Sequence, residues 1–99
     1  MYEIKYGEEF LNNLKELSAS KRREVLDTIA EQLIHQPTQE TRNKKVLKGL
    51  NPPWDHDDPI WELRIGEHRV FYDVDDAAKW VTVRALRHKP SHKTTEEIL

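Results

Sequence analysis

The positions of apolar and polar residues predict the order of helices and strands along the chain. Three apolar residues near the start alternate with charged ones and predict a short strand: Tyr2, Ile4 and Tyr6. Apolar residues then recur at three- and four-residue spacing, which is typical of amphipathic helices. We expect one helix over residues 8–17 and a second over about 21–35, with Ser20 as its N-cap and Pro37 beyond its end. The short turn between them predicts an antiparallel hairpin.

The second half of the chain shows the two-residue alternation of β-strands. Candidate strands cover residues 60–65, 68–74 and 79–87. Gly66-Glu67 separates the first two and predicts a tight hairpin with glycine at the first turn position. Strict alternation divides the third strand into two faces, with Val81, Val83 and Ala85 on one and Thr82, Arg84, Leu86 and His88 on the other.

The remaining segments complete the predicted topology. Residues 37–59 are expected to be irregular apart from the apolar pair Val46-Leu47, and Thr94 with Glu97 has the spacing of a capping box that starts a short helix. The order of elements predicts an α+β fold. In it, the N-terminal strand and an antiparallel helical hairpin pack with a small, mainly antiparallel β-sheet. The helices should cover one face of this sheet and leave the other free to bind a ligand.

Length and composition exclude several classes of protein. The 99 residues, of 11.8 kDa, predict one domain over 1–99 with one core. Without cysteine, disulfides, zinc fingers and thiol nucleophiles are excluded. The sequence contains no apolar run long enough to cross a membrane, and its first residues lack the features of a signal peptide. We therefore expect a soluble cytoplasmic protein.

Charge is unevenly distributed along the chain. The net charge of −2 and the pI of about 6.2 argue against a uniformly basic nucleic-acid-binding protein. Two segments nevertheless contain several basic residues and no acid, residues 42–48 and residues 79–93. A local cationic surface of this kind can bind phosphate even when the net charge is slightly negative.

Several short motifs occur in an order that points to a known family. Leu47-Lys48-Gly49-Leu50 is followed by a W-x-L-R-x-G-x-x-R string over residues 61–69, then by an aspartate-rich turn and a Val-Thr-Val-Arg strand. In this order, across nearly the whole chain, the sequence resembles the RelE/ParE toxin superfamily. The resemblance implies a curved sheet, a type II toxin–antitoxin module and a cognate antitoxin, with which the chain would form a hetero-oligomer.

The same resemblance leaves the activity open between three alternatives. RelE-like members are endoribonucleases that cleave mRNA on the ribosome, whereas ParE-like members inhibit DNA gyrase without being nucleases. A degenerate member would retain only antitoxin binding. The fold does not decide between them.

Metal-free RNA cleavage needs a base for the 2′-hydroxyl, cations at the phosphate and an acid for the leaving oxygen. The resemblance implies catalytic roles for Arg64, Arg69, Arg87 and His88 on the concave sheet face. Arg64 and Arg69 would clamp phosphate, for which the guanidinium fork is suited. The imidazole of His88 suits a general acid or base. Further basic residues are expected to bind the substrate: Lys45, Lys48, Arg84, Lys89, His92 and Lys93.

Other residues admit two interpretations. Glu62 stands where RelE has a lysine, and it is either a base toward the 2′-hydroxyl or, as we favour, a cross-strand ion-pair partner. Thr94 falls nearest the C-terminal tyrosine of many active RelE-like toxins, a departure that argues against strong nuclease activity. Asp55-His56-Asp57-Asp58 suggests Mg²⁺ or Mn²⁺ ligands, but such consecutive residues usually form a turn, and we expect no metal or cofactor.

Overall fold

The computed structural model describes residues 1–99, which form five strands and three helices. In chain order these are β1 (Glu3–Tyr6), α1 (Glu8–Leu14), α2 (Ala19–Leu33), β2 (Lys44–Leu47), β3 (Ile60–Ile65), β4 (His68–Asp75), β5 (Trp80–His88) and α3 (Thr95–Ile98). The strands form one sheet in the order β1-β5-β4-β3-β2, in which β1 runs parallel to β5 and the other pairs are antiparallel. The predicted α+β architecture is confirmed. No helix combines the length and the hydrophobicity that crossing a membrane requires.

The boundaries of the helices differ from the predicted ones. α2 begins at Ala19, because the extended Ser18 is its N-cap and the Ser18 hydroxyl accepts a hydrogen bond from the amide of Lys21 at 3.2 Å. Ser20 is therefore helical, and its prediction as the cap is wrong. Two other local predictions are confirmed. Gly66 has the positive φ of +58° that the hairpin turn requires, and a capping box starts α3.

The main core lies between one face of the sheet and helices α1 and α2. Its buried residues come from both helices and from three strands: Phe10, Leu14, Val25, Ile29, Leu33, Trp61, Leu63, Ile65, Val70, Tyr72, Val81, Val83 and Leu86. Burial of these apolar side chains is the principal favourable term in folding, and it fixes the register of the central strands. Leu11 is an exception to the helical pattern, because it is 44% exposed.

Two buried polar side chains attach the segment after α2 to the sheet. The Tyr72 hydroxyl donates a hydrogen bond to the carbonyl of Pro37 at 2.6 Å. The Lys44 ammonium donates to the carbonyls of Gln32 at 3.1 Å and Gln36 at 2.7 Å, at the end of α2. Burial raises the pKa of Tyr72 and lowers the pKa of Lys44. Lys44 thus belongs to the core, and its assignment to a basic surface segment is wrong.

The face opposite the helices is partly covered rather than free. A second cluster of buried residues lies there: Trp54, Ile60, Phe71 and Ala85. The partly buried Leu47, Ile98 and Leu99 pack against it. The loop between β2 and β3 and the segment containing α3 therefore cover the middle of the face that the sequence leaves open.

A β-bulge between β4 and β5 shifts the alternation of side chains along β5. Phe71 pairs with Ala85 while Tyr72 pairs with Val83, so Arg84 is the extra residue. Ala85 consequently joins Phe71 in the second cluster, whereas Leu86 returns to the main core. The predicted assignment of side chains to the two faces of β5 is correct up to Arg84. Beyond Arg84 each side chain lies on the face opposite to the predicted one.

The Tyr72→Phe variant tests the buried hydrogen bond to Pro37. We expect the free energy of unfolding to fall by about 1–2 kcal/mol, because the Pro37 carbonyl loses its partner without gaining water. Urea unfolding followed by circular dichroism measures the change. Tyr6→Phe is the matched control, since Tyr6 is 39% exposed, and its effect should be near zero. Equal effects of the two variants would contradict the assigned role.

Candidate functional site

Three arginines stand side by side on the face opposite the helices. Arg64 of β3 is the cross-strand partner of Arg69 of β4, which in turn is paired with Arg87 of β5. Cross-strand partners project from the same face of a sheet, so the three residues form a row across three strands. Like charges that stand directly opposite each other are unfavourable, so partners of opposite charge or hydrogen-bond acceptors are expected near the row. We call Arg64, Arg69 and Arg87 the arginine row.

Arg69, at the centre of the row, is fixed by backbone carbonyls. Its Nη1 donates hydrogen bonds of 2.8 Å to both Gly66 and His68, and the residue is 6% exposed. Burial is the largest effect that lowers the pKa of Arg69, and Arg64 lowers it further, whereas Glu62 opposes the shift. Arg64 is exposed and has no side-chain partner. The most accessible guanidinium of the row is therefore that of Arg64.

Arg87 is held by helix α1. Its Nη1 donates to the Glu9 carboxylate at 2.9 Å and to Asn13 Oδ1 at 2.8 Å. Asn13 Oδ1 also accepts a hydrogen bond of 3.0 Å from the amide of Leu86, and Asn13 donates to Glu9 at 3.0 Å. These hydrogen bonds lower the pKa of Glu9. A small polar network thus fixes one end of the arginine row to α1.

A buried carboxylate lies beside the row. Glu62 precedes Arg64 by two residues on β3, so the two side chains share a face, and Glu62 is 4% exposed. Its carboxylate accepts a hydrogen bond of 2.9 Å from the Thr95 hydroxyl and lies 3.7 Å from the Lys45 ammonium. Lys45 is also its cross-strand partner, which confirms the predicted ion pair. The predicted substrate-binding Lys45 therefore lies next to the row.

His88 does not lie with the arginines. Its cross-strand partner is His68, one position beyond the pair formed by Arg69 and Arg87, so His88 projects toward the helices. The two imidazole rings have centroids 5.5 Å apart, and His88 Nε2 lies 3.0 Å from the Glu67 carboxylate. The expectation that guanidinium groups and this imidazole share one surface is wrong. The bulge is the reason, because it reverses the alternation after Arg84.

Arg84 lies at the opposite end of the same face, in an acidic environment. Its Nε donates to the Asp73 carboxylate at 2.7 Å, and its Nη2 lies 3.5 Å from that of Asp57. Burial acts to lower the pKa of Arg84, but Asp73 and its acidic neighbours raise it overall. A cleft of about 360 Å³ opens there, lined by Gly7, Glu8, Glu9, Asn12, Trp54, Asp55 and Arg84. Arg84 is therefore engaged in ion pairs away from the arginine row.

The other predicted substrate-binding residues lie outside the row. Lys48 is exposed just after β2. Lys89 follows β5, and its amide donates a hydrogen bond of 2.6 Å to the carbonyl of Glu67. His92 and Lys93 are exposed on the segment that leads to α3. No contact in the structure joins any of the four to the arginine row.

Residues 55–58 form loop contacts rather than a ligand set. His56 Nδ1 lies 2.9 Å from the carbonyl of Trp54, and the amide of Asp57 donates a hydrogen bond of 3.0 Å to Asp73. No group of three or more histidine or acidic side chains is arranged to hold a metal ion. The aromatic residues Trp61, Phe71 and Tyr72 are buried in the two core clusters.

Sequence reasoning missed Glu9, Asn13 and Thr95. Asn13 carries a weak signal, because it is a polar residue beside the apolar stripe that Phe10 and Leu14 form on α1. The sequence contains no comparable signal for Thr95, whose contact with Glu62 spans 33 residues.

The family comparison identifies the class of protein. A model of the ParE toxin of type II toxin–antitoxin systems (parDE) matches residues 4–90. The chain therefore belongs to the ParE toxin family, within the RelE/ParE superfamily, and is a toxin of a type II toxin–antitoxin system. No curated protein sequence matches the chain.

Solved structures confirm the RelE-like fold. RelE in the RelE–RelB complex of Pyrococcus horikoshii has 20% identity and a TM-score of 0.69, over 91% of this chain and 97% of that one. The isolated Escherichia coli RelE toxin has 18% identity and a TM-score of 0.69, over 96% of this chain and 89% of that one. The RelBE2 toxin–antitoxin complex of Mycobacterium tuberculosis has 20% identity and a TM-score of 0.66, over 89% of this chain and 98% of that one. Two of these three similar structures are complexes with an antitoxin.

The half-buried His68 predicts a loss of stability in acid. Burial is the main effect that lowers the pKa of His68, and Lys21 and His88 lower it further, while Glu24 and Glu67 oppose the shift. The unfolded chain therefore binds a proton more readily than the folded one below the ordinary pKa of 6.5. Stability should fall as the pH drops through this value. Urea unfolding at about pH 7.5 and about pH 5.5 measures the difference.

The His68→Gln variant should reduce this pH difference. His35→Gln is the matched control, because His35 is exposed beyond the end of α2, and it should leave the difference unchanged. A His68→Gln protein with the full wild-type difference would exclude His68 as its source.

Proposed function

We propose that the toxin is a metal-independent endoribonuclease that cleaves mRNA, on the ribosome as in RelE-like toxins. The observation that supports this is the arginine row beside the buried carboxylate of Glu62, on one sheet face. Cations concentrated at one place match the charge that develops on a phosphate during cleavage. A carboxylate beside them matches the base that the 2′-hydroxyl requires.

In the proposed reaction each group has one role. Arg64 binds the scissile phosphate, and Arg69 adds positive potential from its fixed position. The Glu62 carboxylate takes the proton of the 2′-hydroxyl, whose oxygen attacks phosphorus while the bond to the 5′ oxygen breaks. The leaving oxygen takes a proton from solvent, because His88 faces the helices. The products are a 2′,3′-cyclic phosphate and a 5′-hydroxyl.

A second candidate is inhibition of DNA gyrase by binding, as in ParE-like toxins. The engagement of Arg87 by Glu9 and Asn13 favours it, because that guanidinium is already neutralised within the fold. The position of His88 away from the row favours it as well.

We also propose that a cognate antitoxin covers the arginine row, since acidic side chains of a partner would complement it.

Alanine at Arg64 is the first test of the proposed nuclease. We expect Arg64→Ala to lower the cleavage rate by about 10²–10³, the usual effect of removing one group that stabilises transition-state charge. The fold should be unaffected, because Arg64 is exposed and unpaired. Arg23→Ala is the control, since it removes the same charge from an exposed position on α2. Equal rates for the two variants would place the phosphate elsewhere.

Glu62→Gln tests the base separately. Loss of a general base costs about 10²–10⁴ in rate, and the amide keeps the shape of the side chain. Cleavage of a defined message by purified protein in a translating extract supplies the measurement. Intact message together with inhibited DNA supercoiling by gyrase would instead support the second candidate.

A further inference from the structure

We propose that residues 94–99, here called the strap, regulate this site by covering Glu62, and that RNA binds only after the strap opens. The inference rests on the proposed function and adds a closed and an open state to it. The family model ends at residue 90, so the strap lies outside the part of the chain that matches the family.

The strap contacts the site through two hydrogen bonds. The Thr95 hydroxyl donates its hydrogen bond of 2.9 Å to the Glu62 carboxylate, the proposed base. Arg87 Nε donates a hydrogen bond of 3.4 Å to the carbonyl of Leu99. The strap thus occupies a hydrogen-bonding group of the carboxylate and one at the end of the arginine row, and the proposed reaction needs the carboxylate free.

Apolar contacts hold the strap over the middle of the sheet face. Ile98 and Leu99 pack against the second cluster, which contains Trp54, Phe71 and Ala85. Glu62 is only 4% exposed beneath this arrangement. A 2′-hydroxyl has no access to a carboxylate that is buried to this extent, so substrate binding requires a movement here.

The strap is the element best suited to move. α3 has four residues and none of them is buried, whereas isolated helices of this length are unstable in water. Its capping box joins Thr94 to Glu97 within the strap and adds nothing to the attachment. Segments with few buried contacts open at low free-energy cost. The strap also carries the carboxylates of Glu96 and Glu97, whose charge has the same sign as RNA.

The double variant Ile98→Ser/Leu99→Ser tests the proposal, because it removes the apolar contacts and leaves the net charge unchanged. Ser91→Ala is the control, at an exposed position outside the strap. The probe is a short single-stranded RNA whose 2′-hydroxyls are replaced by fluorine, which keeps an RNA-like sugar and prevents cleavage while binding is measured. We expect fluorescence anisotropy to show at least about tenfold tighter binding by the double variant, because the binding-competent state is no longer a minor population.

Two further measurements separate the possible outcomes. Thr95→Val, which removes the hydroxyl and keeps the shape, should give a smaller increase in affinity. In the wild-type protein, RNA should accelerate amide hydrogen exchange in residues 95–99. Equal affinities of the wild-type protein and the double variant for the RNA would overturn the strap proposal and leave the nuclease proposal unaffected. If neither protein binds the RNA, the proposed function fails and the strap proposal fails with it.

Discussion

The register of the β4–β5 pair determines which basic side chains the toxin can use together. The bulge inserts Arg84 as an extra residue, and every side chain beyond it on β5 changes face. Arg87 therefore joins Arg64 and Arg69, while His88 projects to the side of the sheet that the helices cover. Without the bulge, strict alternation would place Leu86 and His88 on this face and Arg87 in the core. A one-residue shift in the pairing of β4 with β5 thus places the arginine row on one face of the sheet and the His88 imidazole on the other.

Two of the three arginines in the row have their charge compensated, each in a different way. Two backbone carbonyls of the β3–β4 hairpin accept hydrogen bonds from Arg69. Glu9 and Asn13 accept hydrogen bonds from Arg87. Hydrogen bonds to charged groups contribute about 1.5–3 kcal/mol each, more than the ~0–1 kcal/mol of exposed ion pairs, and they oppose the repulsion along the row. Arg64 has no such partner, so it keeps its charge available to a ligand.

Local patterns in the sequence suffice for most of the fold and for part of the site. Alternation and helical spacing locate the strands and helices, and the glycine at 66 identifies the hairpin that aligns Arg64 with Arg69. The position of His88 was not predictable, because a bulge has no signal in a strand of continuous alternation. The contact between Thr95 and Glu62 depends on tertiary packing, and Lys44 shows the same limit: its charge suggests a surface position, whereas the end of α2 binds it in the interior.

The charge distribution of the face would limit how the RNA of the proposed reaction lies on it. Basic groups gather at the end nearest the β3–β4 turn, whereas Asp73 and Asp57 surround Arg84 at the other end. A phosphate chain that ran along the strands would leave the row and meet these carboxylates. A chain that crosses the strands, from Lys45 past Arg64 toward Arg87, stays within the positive region. For the RNA of the proposed reaction, these charges therefore favour a crossing path, and such a path would pass close to both Glu62 and the strap.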